Sequence, residues 1–304
     1  MVSGLRVPSS SLHSRPRVLV PVLVGQMARP TISLGDALAS SPGGAGNLLA
    51  LVEIRSGRDN EVFAQERRRR DALLWVAGLE YSSEVRRRIG VSLRMTANAA
   101  SSVRDAVAEN ETTSLVLEWP TIASPRRHGL IDLARQLLPD GTTDILFLRS
   151  NPRALNEKLG PRSIMASIRG GPSARVVAST AAALADAFGS VLTLVHVKTG
   201  SQHPDRARRE WQSFEEIVHE LHRPATIVTV RKRDSAAAAI LEEASGHDLV
   251  MIGSRIDPAS PSNLLGRELH RMLRHIDAPV LMVRAKPSSR PVAARSTEAN
   301  GHRP

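Results

Sequence analysis

The chain contains no cysteine, and this absence removes several classes of chemistry. Disulfide bonds, thiol nucleophiles and cysteine metal sites are excluded, and the composition fits a reducing compartment, so we expect a cytoplasmic protein. Aromatic residues make up only 3% of the sequence, whereas 41% of the residues are hydrophobic. The core must therefore consist mainly of valine, leucine, isoleucine and alanine, which favours a layered α/β protein.

Long hydrophobic runs are missing as well. The longest uncharged apolar run covers residues 18–25, whereas a membrane-spanning helix needs about 20 residues. We therefore expect no membrane insertion. Residues 1–16 contain two prolines and no apolar block, which predicts a disordered leader rather than a secretory signal. Residues 287–304 are predicted to form a disordered tail.

Acidic residues are outnumbered, with 30 aspartates and glutamates against 41 lysines and arginines and a net charge of +11. Such a balance favours anionic partners such as nucleotides, nucleic acid or a lipid surface. An arginine-rich composition is also common in chains of high genomic G+C content, and this is the preferred explanation of the charge. The arginine clusters at 67–70 and 86–88 have no interleaved aromatic residues. They are therefore interpreted as solvated helix surface, and nucleic-acid binding through them ranks as the weaker alternative.

Apolar runs alternate with helical patterns along the whole chain. Pro21 interrupts the first run and predicts an edge strand or a bulge, while Asn98 and Asp234 are candidate helix caps. Helices are predicted at 31–40, 60–79, 98–110, 129–138, 173–188, 205–221 and 235–245 and from about residue 266. Strands are predicted at 17–24, 48–54, 91–96, 114–118, 144–149, 163–168, 191–197, 226–230, 249–253 and 279–283.

The two halves of this pattern match each other. Leu115 and Leu249 lie 134 positions apart, and Ile145 and Val280 lie 135 apart, so an internal duplication is the economical explanation. Each half is then a doubly wound, five-stranded parallel sheet of order 3-2-1-4-5. We expect domains at 17–150 and 163–286, joined by a linker at 151–162 and paired as an intramolecular pseudo-dimer or as a homodimer.

Ligands of such sheets bind beyond the carboxyl ends of the strands, where the strand order reverses. In the second half this point brings together two turns, at 169–171 and 253–255. A helix that opens at Gly266 follows the second turn. Glycines and free backbone N–H groups at a strand end suit a phosphate.

The spacing is specific enough to indicate a family. Gly253 and Gly266 lie thirteen positions apart, and Pro279-Val280-Leu281 begins the last strand. This pattern resembles the universal stress protein family, whose nucleotide-binding members carry Gly, two residues, Gly, nine residues and Gly-Ser/Thr after the fourth strand. The resemblance covers residues 160–286 well and 17–150 weakly. It implies a role in stress adaptation, with ATP or another adenine nucleotide as ligand, while related modules occur as soluble extensions of secondary transporters.

Three positions depart from the family pattern. Ile256 replaces the middle glycine, and Arg267 replaces the Ser or Thr after the last one. Arg169 stands where the family's ATP-binding members carry an aspartate that contacts the nucleotide, so donors replace an acceptor. Two hypotheses remain open: Arg169, Arg255 and Arg267 converge on another anion, or they point outward and the fold serves as a partner-binding module.

The predicted ligand-lining residues all belong to the second half. His196 is also explained as a structural residue, because it stands alone at a strand end. The full set is Ile168, Arg169, Gly170, Gly171, His196, Val197, Gly253, Ser254, Arg255, Gly266, Arg267 and Glu268.

The first half keeps less of the motif. Leu23 replaces the aspartate, Trp119 aligns with Gly253 and Ile131 with Gly266, so we expect a degenerate copy that contributes packing. No Gly-Lys-Ser/Thr loop occurs, and the histidines at 219 and 222 lack a further metal ligand. Neither a nucleophile elbow nor a defensible carboxylate pair is found, so we expect neither catalysis nor a metal site.

Overall fold

Ten strands form one continuous sheet in the computed structural model of the chain. The structure describes residues 15–23, 29–53, 67, 69–72, 89–119, 127–137, 141–150, 160–169, 172–198, 204–221, 223–231, 235–254 and 267–287. The first half contributes β1 (Arg17–Leu23), β2 (Ala45–Glu53), β3 (Ile89–Thr96), β4 (Ser114–Glu118) and β5 (Asp144–Arg149). The second half contributes β6 (Ser163–Ser167), β7 (Val191–Lys198), β8 (Thr226–Arg231), β9 (Leu249–Gly253) and β10 (Val280–Arg284).

Seven described helices cover the sheet. They are α1 (Arg29–Ala39), α2 (Ala99–Glu109), α3 (Arg127–Leu137), α4 (Pro172–Phe188), α5 (Pro204–Glu220), α6 (Ala236–Ala244) and α7 (Arg267–His275). Side chains of α2, α3, α6 and α7 pack on one face of the sheet, and those of α1, α4 and α5 on the other. The inner strands are thus buried on both faces, which explains why most of them are continuous apolar runs, whereas the outer strands β3 and β8 are partly exposed.

The strand order is β3-β2-β1-β4-β5-β10-β9-β6-β7-β8. Each half therefore has the predicted order 3-2-1-4-5, and the doubly wound α/β prediction is confirmed. All pairs are parallel except β5 with β10, which are antiparallel and join the halves. In this ladder Phe147 lies opposite Met282, residues 135 positions apart, so the duplicated strands meet about a pseudo-twofold axis. The expected intramolecular pseudo-dimer is visible here, whereas the proposed domain limits stay predictions.

Two local predictions were wrong. Pro21 does not lie in an edge strand, because β1 has β2 on one side and β4 on the other. The ladder with β4 includes only Val18 and Leu19, so the sheet needs no donor from Pro21 on that side. Helix α6 is capped by Ser235 rather than Asp234, since the Ser235 hydroxyl accepts a hydrogen bond from the Ala238 backbone N–H at 3.0 Å.

Other local predictions were right. Asn98 caps α2, its side-chain oxygen accepting from the Ser101 backbone N–H at 3.1 Å. The helix predicted at 173–188 is present as α4, which begins one residue earlier, at Pro172. Several predicted segments lie largely or wholly outside the described residues. They are the helix at 60–79, the cluster at 86–88, the leader, the linker and the tail. Arg67, Arg69 and Arg70 are helical and exposed, which agrees with a solvated surface and leaves nucleic-acid binding untested.

A single arginine reinforces the junction between the halves. The Arg149 guanidinium, at the end of β5, donates hydrogen bonds to the backbone carbonyls of Leu273 at 2.8 Å, Ala278 at 2.6 Å and Ile276. Leu273 lies in the last turn of α7, where helix carbonyls lack partners and a positive charge is favourable, and Ile276 and Ala278 follow the helix directly. Burial lowers the pKa of Arg149, and the nearby Asp277 carboxylate partly opposes that shift. The first half thus holds one end of a helix in the second half.

Replacing Arg149 by methionine tests this contact. The variant leaves three carbonyls near the end of α7 without their shared donor, so we expect the free energy of unfolding to fall by about 2–4 kcal/mol. Urea denaturation measures the change. The exposed Arg175, which pairs with Glu216 at 3.4 Å on the surface, provides the control, because Arg175→Met should cost about 0–1 kcal/mol. Equal losses in both variants would contradict the assigned role of Arg149.

A second prediction concerns the turn after α2. Glu111 has a left-handed backbone, with φ of 47°, and the corresponding residue after α6 is Gly246, with φ of 94°. Glu111 also pairs with Arg17 at 3.2 Å, but both side chains are well exposed. Glycine tolerates this conformation better than any other residue, so Glu111→Gly should be about 0.5–1 kcal/mol more stable than Glu111→Ala. Both variants lose the ion pair, so thermal denaturation of the two isolates the backbone effect, and equal stability would refute it.

Candidate functional site

The predicted cleft lies at the carboxyl ends of β6 and β9. These strands are neighbours in the sheet, and the chain leaves β6 towards β7 on one side and returns to β9 on the other. The strand order therefore reverses between them, as a ligand site of this fold requires. Ser167 pairs with Ile252, and continuing this register places Ile168 beside Gly253 and Arg169 beside Ser254.

Ser254 is the most informative residue at this edge. It is only 4% exposed, and its backbone N–H donates to the Val283 carbonyl at 2.8 Å. Its hydroxyl oxygen is buried and has no hydrogen-bond partner among the described residues. A buried hydroxyl without a partner costs about 1–3 kcal/mol, so a group that bonded to it would recover part of that free energy.

Gly253 allows α4 to approach the sheet closely. A β-carbon at this position would lie 3.3 Å from the Ser173 β-carbon and 3.5 Å from Val177 Cγ2. The Ser173 hydroxyl in turn accepts a hydrogen bond from the Ala285 backbone N–H at 3.3 Å. The first turn of α4, with its free backbone N–H groups, is thereby fixed near the ends of β9 and β10.

The structure describes only some of the other residues predicted to line the site. Arg169 is exposed at the end of β6, and Glu268 is exposed in the first turn of α7. Arg267 is the first residue of α7. Gly170, Gly171, Arg255 and Gly266 lie outside the described residues, so the convergence of Arg169, Arg255 and Arg267 stays a prediction.

Three predicted lining residues are buried within the protein. Ile168, His196 and Val197 are 1%, 3% and 4% exposed, and His196 Nδ1 lies 3.1 Å from the Ile168 carbonyl oxygen. The imidazole packs against Phe214 and Trp211, with ring centroids 4.9 and 5.5 Å away. The structural explanation of His196 therefore accounts for its surroundings.

Two neighbouring residues were missed by the sequence reasoning. Ser173 could have been found, because Pro172 marks the first position of α4 and places the next residue in its first turn. Lys198 had no comparable signal. Its ammonium lies 4.7 Å from the centre of the Trp211 ring, a contact that depends on how α5 packs against β7.

The corresponding edge of the first half is built differently. Trp119, which aligns with Gly253, packs edge-on against Phe147 with 5.6 Å between ring centroids. The preceding Glu118 accepts a hydrogen bond from the Ser150 hydroxyl at 3.3 Å. Burial raises the pKa of Glu118, and the bond from Ser150 opposes this only in part. An aromatic ring thus occupies the position that glycine keeps open in the second half.

The described residues contain neither a membrane-spanning helix nor a metal-binding cluster. None of the described helices combines the length and the apolar character needed to cross a bilayer. Within the same ranges, no three histidine, aspartate or glutamate side chains are grouped so as to hold a metal ion.

Comparison with known proteins identifies the second half. Residues 161–284 match the model of the Universal stress protein family. This segment, which contains β6 to β10, is therefore a universal stress protein domain. Among curated proteins, none matches the chain.

Solved structures resemble the chain over nearly its whole length. A universal stress protein from Archaeoglobus fulgidus DSM 4304 has a TM-score of 0.59 at 13% identity, covering 90% of this chain and 97% of that one. The cytoplasmic domain of a prokaryotic cation chloride cotransporter has a TM-score of 0.57 at 11% identity, covering 90% and 96%. A putative universal stress protein from Pseudomonas aeruginosa UCBPP-PA14 has a TM-score of 0.54 at 13% identity, covering 89% and 94%. At these identities the likeness establishes the shared fold.

The raised pKa of Glu118 predicts how stability depends on pH. Between its unfolded and folded pKa values only the folded state holds the proton, so the stability contribution of Glu118 falls as pH rises through this window. Glu118→Gln should therefore be more stable than the parent protein at pH 7, and this advantage should disappear below the unfolded pKa of about 4.3. Chemical denaturation across pH measures it, with Glu268→Gln, an exposed glutamate, as control. An advantage that persists unchanged at low pH would contradict the burial argument.

Proposed function

We propose that the universal stress protein domain at 161–284 binds an anionic ligand, with an adenine nucleotide as the first candidate, in the cleft between β6 and β9. The chain would act as a cytoplasmic regulatory protein in stress adaptation, with no catalytic step. The observation that carries the proposal is the buried Ser254 hydroxyl, which has no partner among the described residues. It lies where the strand order reverses, which is where ligands of doubly wound sheets bind.

Charge and helix geometry support an anion over a cation. Arg169 is exposed beside Ser254 in the strand register, and a guanidinium offers a planar set of donors that matches phosphate oxygens. Helices α4 and α7 both begin at this edge, immediately after the loops that leave β6 and β9. Their amino-terminal N–H groups and dipoles add positive potential at the same place.

The identity of the anion depends on Arg169. In the ATP-binding members that the sequence resembles, an aspartate at this position contacts the nucleotide. A guanidinium cannot accept a hydrogen bond, so it does not reproduce that contact. It does favour the phosphates, and we therefore expect recognition to depend more on phosphate than on the nucleoside.

A second candidate function is partner binding without a small ligand. It is favoured by the shared fold with the cotransporter cytoplasmic domain, which covers 90% of this chain. In this alternative Arg169 and Glu268, both exposed at the cleft edge, belong to a protein-contacting surface. The two candidates differ in one respect that is simple to measure, because only the first requires the cleft to hold an anion.

Thermal denaturation and calorimetry with ATP, AMP, cyclic AMP and pyrophosphate test the proposal. ATP should raise the Tm, and pyrophosphate should retain much of that effect if phosphate dominates recognition. Ser254→Ala should stabilise the ligand-free protein by about 1 kcal/mol, since it removes an unsatisfied hydroxyl, and should weaken ATP binding about three- to tenfold. Opposite signs in the two measurements are the signature of a hydroxyl reserved for a ligand.

Ser190→Ala is the matched control. Ser190 is also buried, but its hydroxyl donates to the Pro161 carbonyl at 2.5 Å. Its removal should lower the stability of the ligand-free protein and leave ATP affinity unchanged. If none of the four compounds changes the Tm at millimolar concentration, the anion proposal is wrong and partner binding becomes the favoured function.

A further inference from the structure

One helix connects the candidate anion cleft to the junction between the halves. Helix α7 leads from the carboxyl end of β9 to the amino end of β10, so it begins at the cleft and ends at the opposite edge of the sheet. Its nine residues span about 13 Å at about 1.5 Å per residue. A helix this short moves as one body, so a residue that fixes its carboxyl end also limits the movement of its amino end.

The residue that holds the carboxyl end of α7 comes from the first half. Arg149 is the last residue of β5 and lies opposite Val280, the first residue of β10. Its Nη1 donates to the Leu273 carbonyl at 2.8 Å, and its Nη2 donates to the carbonyls of Ala278 at 2.6 Å and Ile276. The guanidinium thus ties the last turn of α7, and the connection from α7 to β10, to the neighbouring half.

These hydrogen bonds restrain α7 in a way that its apolar packing does not. Leu269, Met272 and Leu273 are buried in the core beneath the helix, but apolar packing has no preferred direction. The side-chain hydrogen bond between Arg274 and His270, at 3.1 Å, stays within the helix. The Arg149 bonds are directional and come from a different element, so they define where α7 lies along the sheet.

The duplication shows that this contact is not a general property of the junction. Arg284 ends β10 as Arg149 ends β5, and the two arginines lie at equivalent positions in the antiparallel ladder. Nη1 of Arg284 is buried and has no hydrogen-bond partner among the described residues. Within the described part of the chain, only one of the two equivalent arginines therefore holds a helix end. That helix belongs to the half with the candidate anion site.

The charge of Arg149 is also complementary to that of an anion at the other end of α7. A helix carries a partial positive charge at its amino end and a partial negative charge at its carboxyl end. The guanidinium offsets the negative end, and an anion in the cleft would interact with the positive end. Both charges favour the same placement of the helix, so each supports the other.

We propose that Arg149 of the first half is a positioning residue for the anion site of the second half. It holds the carboxyl end of α7 and thereby keeps the free N–H groups of the amino end in place to receive the anion. Ligand binding and the contact between the halves then stabilise each other. This inference rests on the proposed function, and it gives the first half a role in ligand binding in addition to packing.

Isothermal titration of the full chain with ATP and with pyrophosphate tests the coupling, at a temperature well below the Tm of every variant. Arg149→Met should weaken the binding of both compounds about five- to tenfold, because part of the binding energy is then used to fix α7. Arg149→Lys keeps the charge and a donor for the same carbonyls. Its affinity should lie between those of Arg149→Met and the parent protein.

Two control variants separate coupling from a general loss of stability. Arg94 of the first half donates to the Ser102 carbonyl at 3.3 Å and pairs with Glu109, both on α2. Arg94→Met therefore removes a contact between an arginine and a helix that does not involve α7. Ser190→Ala destabilises the second half through the lost bond to the Pro161 carbonyl. Both variants should bind ATP and pyrophosphate like the parent protein.

Hydrogen exchange supplies a measurement that a purely structural contact would not change. Coupling is reciprocal, so saturating ATP should slow exchange of the Ile276 amide, which donates to the Met272 carbonyl at the end of α7, at least about fivefold. The Asn110 amide, which donates to the Ala106 carbonyl at the end of α2, is the reference. In Arg149→Met the effect of ATP on the Ile276 amide should be largely lost.

Several results would overturn the proposal. If Arg149→Met folds and binds both compounds like the parent protein, the contact is structural only. Equal weakening in Arg149→Met and in the two controls would assign the effect to stability. If Arg149→Met does not fold, exchange in the parent protein decides, and an Ile276 amide that ATP does not slow contradicts the coupling. These results leave the proposed function intact, whereas absence of ATP and pyrophosphate binding to the parent protein overturns both proposals.

Discussion

The antiparallel contact of β5 with β10 is the constraint on which the rest of the structure depends. In each half the last strand has one side free, and pairing those two sides turns two five-stranded sheets into one of ten strands. An isolated half would expose a long apolar edge of the kind that promotes association. Arg149 adds three hydrogen bonds to the end of α7 across this contact. The first half thus completes the sheet of the second half.

Much of this architecture could be predicted because it depends on local patterns. Buried parallel strands are continuous apolar runs, and the offset of 134 to 135 positions reveals the duplication that fixes the order within each half. The sequence also indicates that Arg149 and Arg284 are equivalent, yet it does not reveal their different surroundings. Arg149 donates to three carbonyls, whereas Arg284 Nη1 is buried with no partner among the described residues, and burial lowers the pKa of its guanidinium. Such asymmetry arises from tertiary packing, which no local pattern encodes.

The candidate site was less predictable than the fold, for a physical reason. Motif spacing located Gly253 and Ser254 correctly beside the end of β6, because strand topology places them there. It could not distinguish a hydroxyl that is satisfied from one that is not, since this depends on the neighbours that Ser173 and α4 bring. His196 illustrates the converse. Its position suggested a pocket, but the packing of α5 places two aromatic rings against it.

The two halves show how one fold can diverge at opposite ends of its sheet. At the carboxyl edge the second half has Gly253 where the first half has Trp119, so a position filled by an aromatic ring in the first half carries no side chain in the second. At the amino edge the situation is reversed, because Ile276 occupies the core of the second half where Gly141 leaves a cavity in the first. Only the second exchange concerns a close-packed interior, where a void is rarely kept without compensation, because Ile276 is buried whereas Gly253 is exposed and Trp119 is partly buried. Duplication allows this exchange, since one half can place a large side chain at an edge of the sheet while its partner keeps a small residue at the corresponding position.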